Sequence, residues 1–128
     1  MEINIDKKDY TIYFGIDALD YLNRVYEVFA DEVGIETTNL NPVVGEGLNF
    51  LIMGLGQENP VAIANFIKAG TNTLLSKPSN RGIDEFIGKL YEEDKVSEFV
   101  SEIESFLLNN PLTKKKSKES GLKEKKKK

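Results

Sequence analysis

The residues best suited to chemistry are carboxylates and lysines, and their spacing limits what they can do. Glu92-Glu93-Asp94 is a candidate cluster for a hard cation. A calcium loop, however, needs alternating oxygen ligands closed by a bidentate glutamate, and three consecutive acids do not supply that spacing. A corner between two helices accounts for them better. Gly45-Glu46-Gly47 and Gly54-Leu55-Gly56 are glycine pairs, but neither joins a strand to a phosphate-cradling helix with Lys-Ser/Thr behind it. The chain has no histidine and no cysteine. That removes the commonest general base, the commonest metal ligand, thiolate metal sites and any disulfide framework. Catalytic, metal and cofactor residues are therefore not expected, and the molecule reads as a non-enzyme.

Charge divides the chain in two. From Lys114 to Lys128 nine lysines stand against Glu119 and Glu124, giving +7. The other residues hold eight Lys/Arg against nineteen Asp/Glu, giving −11. An acidic body should repel nucleic acid, whereas a lysine run can neutralise phosphates and release counterions. No arginine and no interleaved aromatic accompanies that run, so base stacking and bidentate readout are not expected. A small regulatory or nucleic-acid-binding module using the lysine-rich tail is the alternative reading. No apolar run approaches the roughly 20 residues that cross a bilayer. The acidic, alternating start MEINIDKKDY does not read as a signal peptide, so a cytoplasmic protein without membrane contact is expected.

The elements that must position any site are legible by period. Ile3 and Ile5 alternate with polar residues, Asp6 to Asp9 makes a polar turn, and Tyr10, Ile12 and Phe14 return the alternation, predicting a β-hairpin. Without an Asn-Gly pair, the loop length stays open. After Gly15, Asp17 is a candidate N-cap for a helix bearing Leu19, Leu22, Val25, Tyr26 and Phe29 on one face, ending near Val33-Gly34. Residues 35 to 47 read as a long irregular connection or a short extra strand pair.

Leu48 to Leu55 is the most apolar stretch. It suits a short buried helix. Equally, Met53 with Gly54 and Gly56 beside it suits an adaptable surface that grips apolar partners. Asn59-Pro60 starts a helix through Val61, Ala64 and Ile67 toward Leu74. Ser79 caps a further helix with Ile83, Phe86, Ile87 and Leu90 on one face. Asp94 is expected to cap the last, whose stripe is Val96, Phe99, Val100, Ile103, Phe106 and Leu107, before Asn109-Asn110-Pro111 stops it. From residue 113 onward only Leu122 is apolar, so a disordered tail is expected.

The fold class is thus α+β and mainly helical. An N-terminal hairpin packs on about four or five helices, with a folded domain over 1–112 and a lysine-rich disordered tail over 113–128. The candidate partner or self-association face is Leu48, Phe50, Leu51, Met53 and Leu55 with Phe99, Ile103 and Phe106.

The order of these pieces resembles a known family. Tyr10-Thr11-Ile12-Tyr13-Phe14-Gly15-Ile16 with Leu19 and Tyr21-Leu22, then Gly47-Leu48, Asn59-Pro60, and Asn110-Pro111-Leu112-Thr113-Lys114-Lys115-Lys116 carry the likeness over most of the first 116 residues. The chain resembles the tail assembly chaperones of long-tailed, siphovirus-type phages and prophages of Gram-positive bacteria. That resemblance implies a non-enzymatic assembly factor that coats the tape-measure protein, helps recruit tail-tube subunits and leaves before the virion is complete. It implies action in the bacterial cytoplasm and homo-oligomers. It also implies a longer form made by a programmed ribosomal slip, for which Lys114, Lys115 and Lys116 are the candidate frameshift-proximal residues.

Overall fold

The computed structural model describes residues 1–32 and 46–122. The expected Gly34 cap, the connection over 35–45, the Phe29 side chain and the last six residues lie outside the described part. Strand β1 (Glu2–Ile5) pairs antiparallel with β2 (Lys8–Thr11), with Ile3 opposite Tyr10 and Ile5 opposite Lys8. Only Asp6 and Lys7 remain for the loop, both with positive φ, 54° and 65°. That is the two-residue turn whose hand matches strand twist, and it is shorter than the four-residue turn expected. Ile3, Ile5 and Tyr10 are buried on one face. The alternation outlasts the ladder: Ile12 and Phe14 are buried while Tyr13 is 64% exposed. The Tyr13 N–H donates to the Gly70 carbonyl at 3.0 Å, tying the hairpin to a helix end. Two strands alone are marginal, and the helices supply the missing cover.

Helix α1 (Ile16–Glu32) starts two residues earlier than an Asp17 cap predicts. The Gly15 carbonyl accepts from the Leu19 N–H, so Gly15 holds the cap position. Asp17 falls in the first turn, where its charge still meets the positive helix end. Helix α2 (Glu46–Gly56) takes Gly47 inside it, and Asn23 Oδ1 of α1 accepts from the Gly47 N–H at 3.0 Å. Helix α3 (Pro60–Gly70) is capped by Asn59, whose Oδ1 accepts from the Val61 N–H at 2.9 Å. It stops at Gly70, short of Leu74, and its buried face is carried by Ile63, Phe66 and Ile67, not Val61. Helix α4 (Asn80–Glu92) is capped as predicted: Ser79 Oγ accepts from the Gly82 N–H at 2.9 Å.

Asp94 does not cap α5 (Val96–Asn109); Lys95 stands there without a side-chain capping bond. Asp94 has a φ of 55° and donates to the Tyr91 carbonyl, while the Lys95 N–H reaches Leu90. These two bonds make a Schellman closure, so Asp94 ends α4 and does not begin α5. Glu58 does the same for α2: its φ is 54°, its N–H reaches Leu55, and the Asn59 N–H reaches Gly54. Asn59 therefore closes α2 and opens α3 in one step.

A sixth helix, α6 (Lys114–Glu119), occupies residues expected to be disordered. That expectation fails for residues 113–122. Thr113 and Ser117 are fully buried, Thr113 Oγ1 donates to the Leu107 carbonyl at 2.6 Å, and Leu122 packs against the core. The backbone satisfies the Thr113 hydroxyl, and a count of apolar residues overlooks such small buried side chains. The core joins the hairpin to the helices through Phe14, Phe66 and Phe106. Their ring centroids lie 5.1 Å apart for Phe14–Phe66 and 5.9 Å for each pair with Phe106.

Candidate functional site

Helices α1, α2 and α3 enclose a groove of about 480 Å³. Tyr26 of α1 stacks on Phe50 of α2, centroids 5.8 Å apart, and the pair forms one wall. Gly54 and Ala62 bring α2 and α3 together: a Cβ on Gly54 would sit 2.7 Å from that of Ala62. Met53 and Val61 stand at the rim, 60% and 62% exposed. Gln57, Asn59 and Asn65 add amides, and among the described residues no charged side chain lines the groove. Burial raises the Tyr26 pKa above 10.0, opposed by a hydrogen bond with Asn65. The phenol thus stays protonated across the physiological range and adds no charge to the groove. The same raised pKa contributes stability that is present below pH 10 and lost as the pH climbs through it.

Val61 is also one wall of a second groove of about 510 Å³ between α3 and α4, lined with Ala64, Ile87, Gly88 and Tyr91. Among the described residues its one charged neighbour is Asp84. The Tyr91 hydroxyl donates to the Glu58 carbonyl and Ser97 Oγ to the Glu58 carboxylate, fastening the α2–α3 turn to α4 and α5. The N-terminal turn of α3 is therefore a ridge between two apolar troughs. A smaller patch gathers Tyr13, Ile16 and Leu112 near the hairpin exit.

The structure divides the candidate face. Leu48, Leu51, Leu55, Phe99 and Ile103 are buried in the core. Phe106 is half-buried against Phe14 and Phe66, away from the groove. Phe50 is half-buried and Met53 exposed, and both line the groove. Lys114 and Lys115 are exposed and Lys116 half-buried in the first turn of α6. Sequence reasoning missed Val61 and Asn65 as groove residues. One signal was available: Val61 is out of phase with the Ile63, Phe66 and Gly70 face of its own helix, so it has to look elsewhere.

No group of three or more potential metal ligands gathers among the described residues. No helix among them is long and apolar enough to cross a membrane. An apolar trough with adaptable Met53 at its lip suits a side-chain ridge from another chain.

No curated protein and no solved structure matches the sequence. A family profile described as phage tail assembly chaperone protein matches residues 2–120, which takes in the hairpin and the six helices of the described residues. The chain belongs to the phage tail assembly chaperone family.

Proposed function

We propose that this chaperone binds and solubilises the tape-measure protein of a siphovirus-type phage or prophage in the cytoplasm of a Gram-positive host. In this reading it self-associates, makes and breaks no covalent bond, and helps recruit tail-tube subunits through a longer frameshifted form. It is absent from the finished virion. The observation that supports client binding is the apolar groove, with no charged side chain among its described residues and Met53 and Val61 at its rim. Burying one such side chain contributes about 1.5–3 kcal/mol, so two rim residues can supply much of a weak, reversible grip.

Co-expression with the tape-measure protein tests it. Met53→Asp with Val61→Asp should leave the fold intact, because both side chains face water and Asp suits the N-terminal turn of α3. The soluble fraction of the client should fall, and affinity should drop by about tenfold or more, since a charge carried into an apolar contact costs more than the contact gains. A doubly substituted protein that solubilises the client as well as the original would rule the groove out. The longer form has its own check in the gene: lysine codons at 114–116 without a slippery heptamer, or no overlapping downstream frame, would remove it.

A further inference from the structure

Helix α6 is an element the sequence itself disfavours. It has six residues, four of them lysine, and no acid in its first turn. An isolated helix of that length does not persist in water. Lys114, Lys115 and Lys116 place positive charge at the positive end of the helix, and Lys114 repels Lys118 one turn on. What holds α6 is a short set of inward contacts. Thr113 Oγ1 donates to the Leu107 carbonyl, Ser120 Oγ donates to Asn49 Oδ1 of α2, and Leu122 packs on the core behind the closure at Gly121. At the centre of these contacts Ser117 Oγ is fully buried with no hydrogen-bond partner. A buried hydroxyl left unpaired favours the state in which water reaches it.

We propose that α6 is a releasable strap that opens separately from the rest of the fold and, when open, exposes apolar surface on α2 and α5. Helix α6 packs on both of those helices. Thr113 is bonded to the carbonyl of Leu107, a fully buried residue of α5, and Ser120 to Asn49 of α2. The mutual repulsion of the lysines sets the bias. Screening it favours the closed strap, and pulling the lysines outward, as an acidic partner surface does, favours the open one. The strap is independent of the groove between α1, α2 and α3, so its test does not depend on the client.

Amide hydrogen exchange on the full chain reads the opening directly. The amides of Ser117, Ser120, Gly121 and Leu122, all hydrogen-bonded in the closed form, should exchange at least about tenfold faster than those of Ile103 and Leu107. Raising the salt from about 0.02 M to about 0.5 M should slow them while leaving α5 unchanged. Ser117→Ala removes the unpaired hydroxyl and should slow them by about fivefold or more. Because the chain has no cysteine of its own, Asn49→Cys with Ser120→Cys offers a lock. Once oxidised, it should abolish the fast exchange and reduce binding of an apolar dye. Exchange of α6 at the same rate as α5 would overturn the proposal, as would an unchanged or faster rate in Ser117→Ala. Failure of the cysteine pair to oxidise would deny the closed contact and overturn it as well.

Discussion

Phe66→Ala should lower the free energy of unfolding by about 3–5 kcal/mol. Phe66 is fully buried, and its ring touches both Phe14 and Phe106. Removing it opens a cavity where the hairpin exit, α3 and α5 meet, and it deletes two aromatic pairs worth about 0.5–1.5 kcal/mol each beyond their area. A domain of this size has a total stability of about 5–15 kcal/mol, so the loss is a large share of it. Phe66→Leu keeps most of the volume and should cost far less. Urea denaturation separates the cases: the midpoint should fall for Phe66→Ala with the slope preserved. A loss below about 1 kcal/mol would mean that the site collapses around the gap and that the three rings are not where hairpin and helices are joined.

The hairpin depends on that node because its own ladder is only four residues per strand. This part of the fold was legible in the sequence. Tyr10, Ile12 and Phe14 alternate whether or not strand pairing continues, since burial and not the ladder sets the period. The caps at Asn59 and Ser79 were legible for a different reason. Each places a side-chain oxygen before a helical run, with Pro60 adding a fixed φ at the first helical position. Asp94 misled because the same short acid serves two roles. It can accept at an N-terminus, or it can take the left-handed conformation that closes the helix before it, and only the tertiary corner decides between them. Asp6-Lys7 hid its turn for a related reason: neither residue advertises positive φ as glycine would.

The candidate site was half legible. Leu48 to Leu55 is apolar on almost every side, so periodicity could not tell its core face from its rim. Packing does so: Leu48, Leu51, Ile52 and Leu55 go inward, leaving Phe50 half-covered and Met53 in water. The groove also needs Val61, brought alongside Met53 by a turn in which Asn59 both ends one helix and starts the next. Nothing in the apolar stretch alone announces that neighbour. The strap was illegible because hydrophobicity ranks Thr113, Ser117 and Ser120 with the lysines between them, although their spacing puts them on the inward side.

Gly47→Ala tests the crossing on which the groove rests. A Cβ at Gly47 would lie 2.5 Å from the carbonyl carbon of Leu22 and 2.6 Å from both the Leu22 oxygen and the Asn23 nitrogen. All three are backbone atoms of α1, which cannot swing aside as a side-chain tip can. Helix α2 must therefore back away from α1. That displacement strains the Asn23–Gly47 hydrogen bond and the Tyr26–Phe50 stack, which is a wall of the groove. Overpacking costs about 1–3 kcal/mol, and losing a cap-like bond about 1 kcal/mol more. Alanine returns at most about 1 kcal/mol of helix propensity, so the clash wins and the net loss should be about 2 kcal/mol. Gly88 supplies the control, since a Cβ there meets nothing within 4 Å. Gly88→Ala should therefore keep its propensity gain and raise the unfolding midpoint. Client binding distinguishes this lesion from the rim substitutions: Gly47→Ala should lose stability and grip together, Met53→Asp with Val61→Asp only grip. If Gly47→Ala unfolded no earlier than the original, the two helices would have to cross with room to spare, and the groove would lack the fixed wall that the proposed client binding requires.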